Sequence, residues 1–141
     1  MKNLEILPKI TKSEIKDLES ILECKFNEEL IIFFQKYLDS KTKECYYISV
    51  TGDEWELSKF SNYTIMYKNL IKYIEKNNLK LLIFGFDPGG WNFCLSFEKK
   101  DMFKVIVDRT ENDDPEEQFV VIADSFEDFI NGLQERPNNL L

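Results

Sequence analysis

Three cysteines, no histidine and 26 carboxylates are the side chains of this 141-residue chain from which chemistry would have to be built. Without histidine the commonest general base near neutral pH is missing. Neither a Ser-His-Asp nor a Cys-His arrangement can be assembled from this chain alone. Cys24, Cys45 and Cys94 stand far apart, and no two form a C-x-x-C pair. An odd count without paired spacing argues against a disulfide framework and fits a reducing compartment. A zinc site would rest on cysteines and carboxylates without the usual local spacing, so no metal and no cofactor is expected. Each cysteine reads as a small buried residue rather than a nucleophile: Cys24 ends a helical stripe, Cys45 opens a strand and Cys94 lies opposite an aromatic strand face. Two carboxylates can still act as acid and base, as in glycoside hydrolysis. Asp87 and Asp108, which both end apolar strands, are the candidates for such a small hydrolase, and a turn-capping role explains each more simply.

Gly89-Gly90 invites a phosphate-loop reading, but a strand rather than a helix follows, and neither G-x-G-x-x-G nor G-x-x-x-x-G-K-[ST] spacing is present. Charge points the same way. Residues 1–80 carry 13 basic and 13 acidic side chains, whereas residues 81–141 carry 5 and 13 and hold the whole net charge of -8. Five acids fall within the seven residues of Glu111-Asn112-Asp113-Asp114-Pro115-Glu116-Glu117. Such a block repels nucleic-acid backbones and anionic lipid and attracts a basic protein surface, though a merely solubilising loop would have the same composition. Tyr46, Tyr47, Trp55 and Tyr63 could stack bases, but no basic stripe accompanies them. No run of about 18 apolar residues is present, and no apolar leader opens the chain, so a cytoplasmic protein is expected.

The elements that must position these residues are readable from periodicity. The length suits a single domain over residues 1–141. Thr11 and Glu14 have capping-box spacing for a helix beginning near Ser13, whose stripe is Ile15, Leu18, Ile21 and Leu22. Asn27 caps a second helix with an apolar face of Leu30, Phe33, Phe34, Tyr37 and Leu38. A strand is expected over 45–50, and Trp55, Leu57 and Phe60 suggest another short one. A third helix is expected over 67–76, burying Leu70, Ile71 and Ile74, with Asn77-Asn78 to stop it. Strands over 80–86, 91–97, 103–108 and 118–123 form an antiparallel meander, with a Pro-Gly-Gly turn after Asp87. Trp91, Phe93, Leu95 and Phe97 share one strand face. Ser125 starts a final helix with Phe126, Phe129, Ile130 and Leu133 buried, ended by Arg136-Pro137. Phe33, Phe34, Phe84, Phe126 and Phe129 are the expected core.

The order of these pieces resembles the SMI1/KNR4 (SUKH) superfamily. The carriers are the helix with Glu14-Ile15-Lys16-Asp17-Leu18-Glu19 and the second amphipathic helix from Glu29 to Leu38. The strand–turn–strand from Leu82 through Gly85-Phe86-Asp87-Pro88-Gly89-Gly90-Trp91 to Phe93 is the most specific piece, and the terminal Ala123-Asp124-Ser125-Phe126 junction is the last. The resemblance implies an α+β fold in which N- and C-terminal helices pack on an antiparallel sheet of about four to six strands. It also implies a binding protein without catalysis: an immunity protein that occludes a cognate polymorphic toxin, many of which are nucleases, or alternatively an intracellular regulatory or scaffold module. The partner expected is a basic protein, a cognate toxin domain, with no nucleic acid, membrane or cofactor. Asp87, Trp91, Glu111, Asp113, Asp114, Glu116 and Glu117 are the candidate contacts, with Trp91 as desolvated anchor.

Overall fold

A computed structural model describes residues 7–110 and 114–137. In chain order the elements are α1 (Lys12–Leu22), α2 (Glu28–Tyr37), β1 (Glu44–Ile48), β2 (Glu54–Glu56), β3 (Lys59–Phe60) and α3 (Tyr63–Asn77). Then follow β4 (Leu81–Phe86), β5 (Asn92–Ser96), β6 (Val105–Asp108), β7 (Phe119–Ala123), α4 (Phe126–Gly132) and β8 (Gln134–Glu135). The fold is α+β. Its helices pack against antiparallel sheets of five strands, in the order β3-β4-β5-β6-β7, and three strands, in the order β2-β1-β8.

Side-chain caps set the helix starts. The Thr11 hydroxyl accepts from the Glu14 N–H at 3.1 Å while the Glu14 carboxylate accepts from the Thr11 N–H at 2.9 Å, so α1 begins at Lys12. Asn27 accepts from the Leu30 N–H at 2.8 Å, and Ser125 from the Asp128 N–H at 3.0 Å. Asn62 does the same for the Ile65 N–H at 3.0 Å, which starts α3 at Tyr63, earlier than its apolar stripe suggests. The buried face of α3 is Met66, Leu70 and Tyr73, with Ile71 and Ile74 half-buried. α4 stops at Gly132 rather than at Arg136, because Leu133 turns extended and Gln134 pairs with Tyr46 on β1.

β1 overlaps the strand expected over 45–50, but neither β8 nor a second, separate sheet is announced by periodicity. The segment containing Trp55, Leu57 and Phe60 divides between two sheets. The Leu57 N–H bonds to the Cys45 carbonyl at 2.7 Å, and the next N–H, of Ser58, bonds to the Phe86 carbonyl at 2.7 Å. The chain thus crosses from one sheet to the other between adjacent residues. Gly85 makes this possible, since a Cβ there would lie 2.4 Å from Leu57 Cδ1 and 3.2 Å from the Lys59 carbonyl.

α3 covers one face of the five-stranded sheet, where Tyr73 packs with Leu81, Ile83, Cys94 and Ile106. The other face carries Leu82, Phe84, Phe93, Leu95 and Phe97 into the main core with α1, α2, α4 and Tyr47, so the strand-face alternation expected around Cys94 holds. Phe34, Phe84 and Phe129 are fully buried, whereas Phe33 and Phe126 are half-buried and meet edge-to-face at 5.1 Å. Phe129 touches both sheets: its ring centroid is 4.8 Å from Tyr47 and 5.5 Å from Phe84 and from Phe93.

Asp108 is not a turn cap. It is buried at the end of β6, where it accepts from the Tyr73 hydroxyl and, at 2.9 Å, from the Gln118 side-chain amide. Cys94 Sγ lies 3.7 Å from the same hydroxyl. Burial pushes the Cys94 thiol well above its ordinary value. Burial, followed by the neighbouring Cys94 and Asp108, does the same to the Tyr73 hydroxyl.

Three outcomes are expected. Phe129→Ala should lower stability by about 3–5 kcal/mol in urea titration, the penalty for emptying a buried aromatic site. Ellman titration of the native protein at pH 8 should leave Cys94 unreacted until denaturant is added, while the half-buried Cys24 and Cys45 react first. The alkaline limb follows from Tyr73. The unfolded chain loses this proton near pH 10 and the folded chain only above it, so the group's contribution is whole below about pH 10 and declines as pH rises. Denaturation at a series of pH values should show a shallower alkaline loss in Tyr73→Phe.

Candidate protein-binding groove

The turn between β4 and β5 is closed by Asp87. Its N–H donates to the Trp91 carbonyl at 2.9 Å, its carboxylate accepts from the Trp91 N–H at 2.8 Å, and its carbonyl accepts from the Gly90 N–H at 3.2 Å. Gly90 sits at φ 96°, a region that glycine enters without strain. The turn-capping reading of Asp87 is therefore the one the geometry supports. The turn presents Trp91, half-buried, beside Trp55 of β2, with ring centroids 6.2 Å apart.

The chain's own guanidinium lies over Trp91. Arg109 Cζ is 5.8 Å from the ring centroid, a cation–π arrangement. Arg109 is held there from the far end of the acidic loop. Its Nε donates to the Glu117 carbonyl at 2.9 Å, its Nη2 donates to the same carbonyl, and its Nη2 lies 3.9 Å from the Glu117 carboxylate. Its main-chain N–H donates to the Gln118 carbonyl at 2.7 Å. With the Gln118–Asp108 bond, these contacts tie the base of the loop to β6. Pro115–Glu117 forms a 3-10 turn, whose Asp114 side chain accepts from the Glu116 N–H at 3.0 Å.

These parts enclose an open groove of about 850 Å³ between β2, the β4–β5 turn and the β6–β7 junction. Among the described residues, Asp53, Glu54, Glu56, Asp87, Glu116 and Glu117 line it against a single cation, Arg109. Its apolar lining is Trp55, Trp91, Phe119, Val120 and Val121. The fields of carboxylates on one concave surface add and are focused by its low-dielectric walls. Glu56 is partly neutralised by Arg136 at 3.4 Å. The Trp55 indole N–H is buried and finds no acceptor among the described residues, so this wall is held at a polar cost.

Four of the residues singled out from sequence, Asp87, Trp91, Glu116 and Glu117, come together in this groove. Asp114 is exposed on the loop and does not line it, while Glu111 and Asp113 lie outside the described residues. Sequence reasoning missed Asp53, Glu54, Glu56 and Arg109, and it named Trp55 only as a short-strand residue and a possible base-stacking aromatic. Asp53-Glu54-Trp55-Glu56 is itself an acidic run around a tryptophan, but it sits in the charge-balanced half and was averaged away. A smaller depression of about 380 Å³ lies between α2 and α4, with Phe33, Phe103, Phe126 and Ile130 in its lining. Among the described residues, no cluster of three or more His, Cys, Asp or Glu could hold a metal ion, and no helix is long and apolar enough to cross a membrane.

A family model described as SMI1 / KNR4 family (SUKH-1) matches residues 9–132. No curated protein matches the chain. The matched stretch runs from just before α1 to the end of α4 and takes in every residue that lines the groove. Matched over most of its length, and with helices packed on antiparallel sheets in the way that family implies, the chain belongs to the SMI1/KNR4 (SUKH-1) family of non-catalytic scaffolds with a general immunity and protein-binding role.

Proposed function

We propose that this chain is an immunity protein that neutralises a cognate toxin domain by occlusion, and that the toxin offers a basic surface to the β2–β7 groove. The observation that carries this reading is the convergence of six carboxylates and two tryptophans on one groove, with Arg109 the one basic residue of its lining among the described residues. A nuclease must bind phosphate, so its cleft is basic, and a concave acidic surface complements it. Long-range attraction would speed encounter, and the edges of Trp55 and Trp91 would supply the desolvated contact that slows release. Glu111, Asp113 and Asp114 of the adjoining loop would extend the steering field. Asp87 has a different part, because its carboxylate already closes the turn that carries Trp91. In this reading the protein works in the cytoplasm, where an incoming nuclease would meet nucleic acid.

Secreted toxin domains encoded beside this chain's gene should kill a sensitive host when expressed alone and spare it when the chain is co-expressed. Death despite soluble chain would reject the immunity reading and leave a regulatory or scaffold role. With the purified pair, the variant Asp53→Asn/Glu54→Gln/Glu116→Gln/Glu117→Gln should lower k_on about tenfold at low ionic strength and flatten its salt dependence. An unchanged k_on in a folded variant would remove steering by the groove.

A further inference from the structure

The geometry points to strand addition at β7 as the way the groove takes its partner, the occupant being an extended segment bearing lysine or arginine. This inference deepens the binding reading above and rests on it. β7 is the outer strand of the five-stranded sheet, with no hydrogen-bonded neighbour beyond it among the described residues. Its register with β6 pairs Asp108 with Phe119, Val107 with Val120 and Ile106 with Val121. The Arg109 N–H to Gln118 carbonyl bond, in the same register, marks the pairs whose main-chain groups face β6. Such pairs alternate along an antiparallel ladder. The N–H and C=O groups of Phe119 and Val121 therefore point away from β6, and Val121 is 45 % exposed.

Natural edge strands are guarded by lysine, proline, an inward charge or a β-bulge. Phe119-Val120-Val121-Ile122-Ala123 carries no lysine, proline or charge, and its register shift falls between Val121 and Ala123, which leaves the regular stretch from Phe119 to Val121 open. What stands beside it instead is acid. Glu116 and Glu117 precede the strand, and β2 borders the same groove from the three-stranded sheet. The Ser49 N–H to Asp53 carbonyl and Leu57 N–H to Cys45 carbonyl bonds leave the main-chain groups of Glu54 and Glu56 facing outward from β2. Two open strand edges thus border one acidic groove. A second copy of the chain would bring a net charge of -8 against this rim, whereas a basic strand meets complementary charge along the edge it pairs with.

The probe is an acetylated, fluorescein-labelled octapeptide of alternating lysine or arginine with valine. It is compared with the same peptide methylated at every main-chain nitrogen and with a glutamate–valine counterpart. The expected result is binding of the basic peptide at low ionic strength, no binding of the acidic one and about tenfold weaker binding of the methylated one, because main-chain bonds are lost while charge is kept. Hydrogen exchange of the Phe119 and Val121 amides should slow on saturation with the unmethylated peptide only. Val121→Pro, which removes an outward N–H, should weaken binding similarly, and the methylated peptide gives the same answer should that variant not fold. Equal binding of the methylated peptide, with exchange unchanged, would overturn strand addition and leave an electrostatic groove. Failure of the basic peptide to bind would also overturn it, while the survival assay decides the immunity reading independently. Concentration-dependent dimerisation abolished by Val121→Pro would make a second copy the occupant and overturn the assignment to a basic segment.

Discussion

The ring of Phe129 is where the two sheets of this protein are held together. It is fully buried, and it packs on Tyr47 from the three-stranded sheet and on Phe84 and Phe93 from the five-stranded one. A close-packed interior transmits displacement rather than absorbing it. The separation of the sheets is therefore set by what fills the space between them. A second tie lies where the chain passes from Leu57 to Ser58 and bonds to a different sheet at each residue. The groove has one wall on β2 and another on β7, which belong to different sheets, so its shape depends on ties such as these that fix the sheets relative to each other. Residues that never touch a ligand thereby determine the width available to one.

Electrostatics adds a cost that the packing must outweigh. Six carboxylates around one concavity repel one another, and the loop from β6 to β7 carries further acids. Arg109 offsets part of this repulsion at the point where it is most useful. Its guanidinium joins the last residue of the 3-10 turn to the face of Trp91, and Gln118 continues the tie inward to Asp108. Asp108 is in turn fastened to α3 through Tyr73. A chain of contacts runs from the covered face of the sheet to the rim of the groove, so the exposed acids stand on a rigid base. Preorganised charge loses less to ordering on binding than charge carried by a free loop.

Much of the fold was legible because it is local. Thr11, Asn27 and Ser125 are caps whose partners lie three residues away, and β4, β5 and β6 follow the alternating or continuous apolar patterns of buried strands. In the three-stranded sheet β1 and a short strand at Trp55 were legible, but their separation from the five-stranded sheet was not, because the outer strands span three and two residues and β8 comes from the far end of the chain. Strands that short carry no period. The same limit explains the site. Asp87, Trp91, Glu116 and Glu117 all belong to the acidic second half and were found as a group. Asp53, Glu54 and Glu56 belong to a segment whose charges balance over 80 residues, and only the pairing of β2 with β1 brings them beside the rest. Asp108 was misread as a turn cap for a related reason: its partner Tyr73 is 35 residues away on α3, beyond any local pattern.

The open edge and the acidic rim belong to one physical arrangement. An apolar, uncharged edge strand is normally an aggregation hazard, since any other edge can extend it. This chain leaves β7 without lysine or proline and surrounds it with carboxylates instead. Repulsion between like-charged copies discourages self-association without closing the edge to every partner, because the same field draws in a surface of opposite sign. Protection by a lysine on the strand would repel a basic partner and by a proline would remove the donor such a partner needs. Protection by the rim does neither. It is also the form most sensitive to salt, because charges on an open groove are screened within about 8 Å at physiological ionic strength. The selectivity of this edge is thus a property of its surroundings and not of the strand, and a substitution in β2 can alter what β7 accepts without changing a single residue of β7.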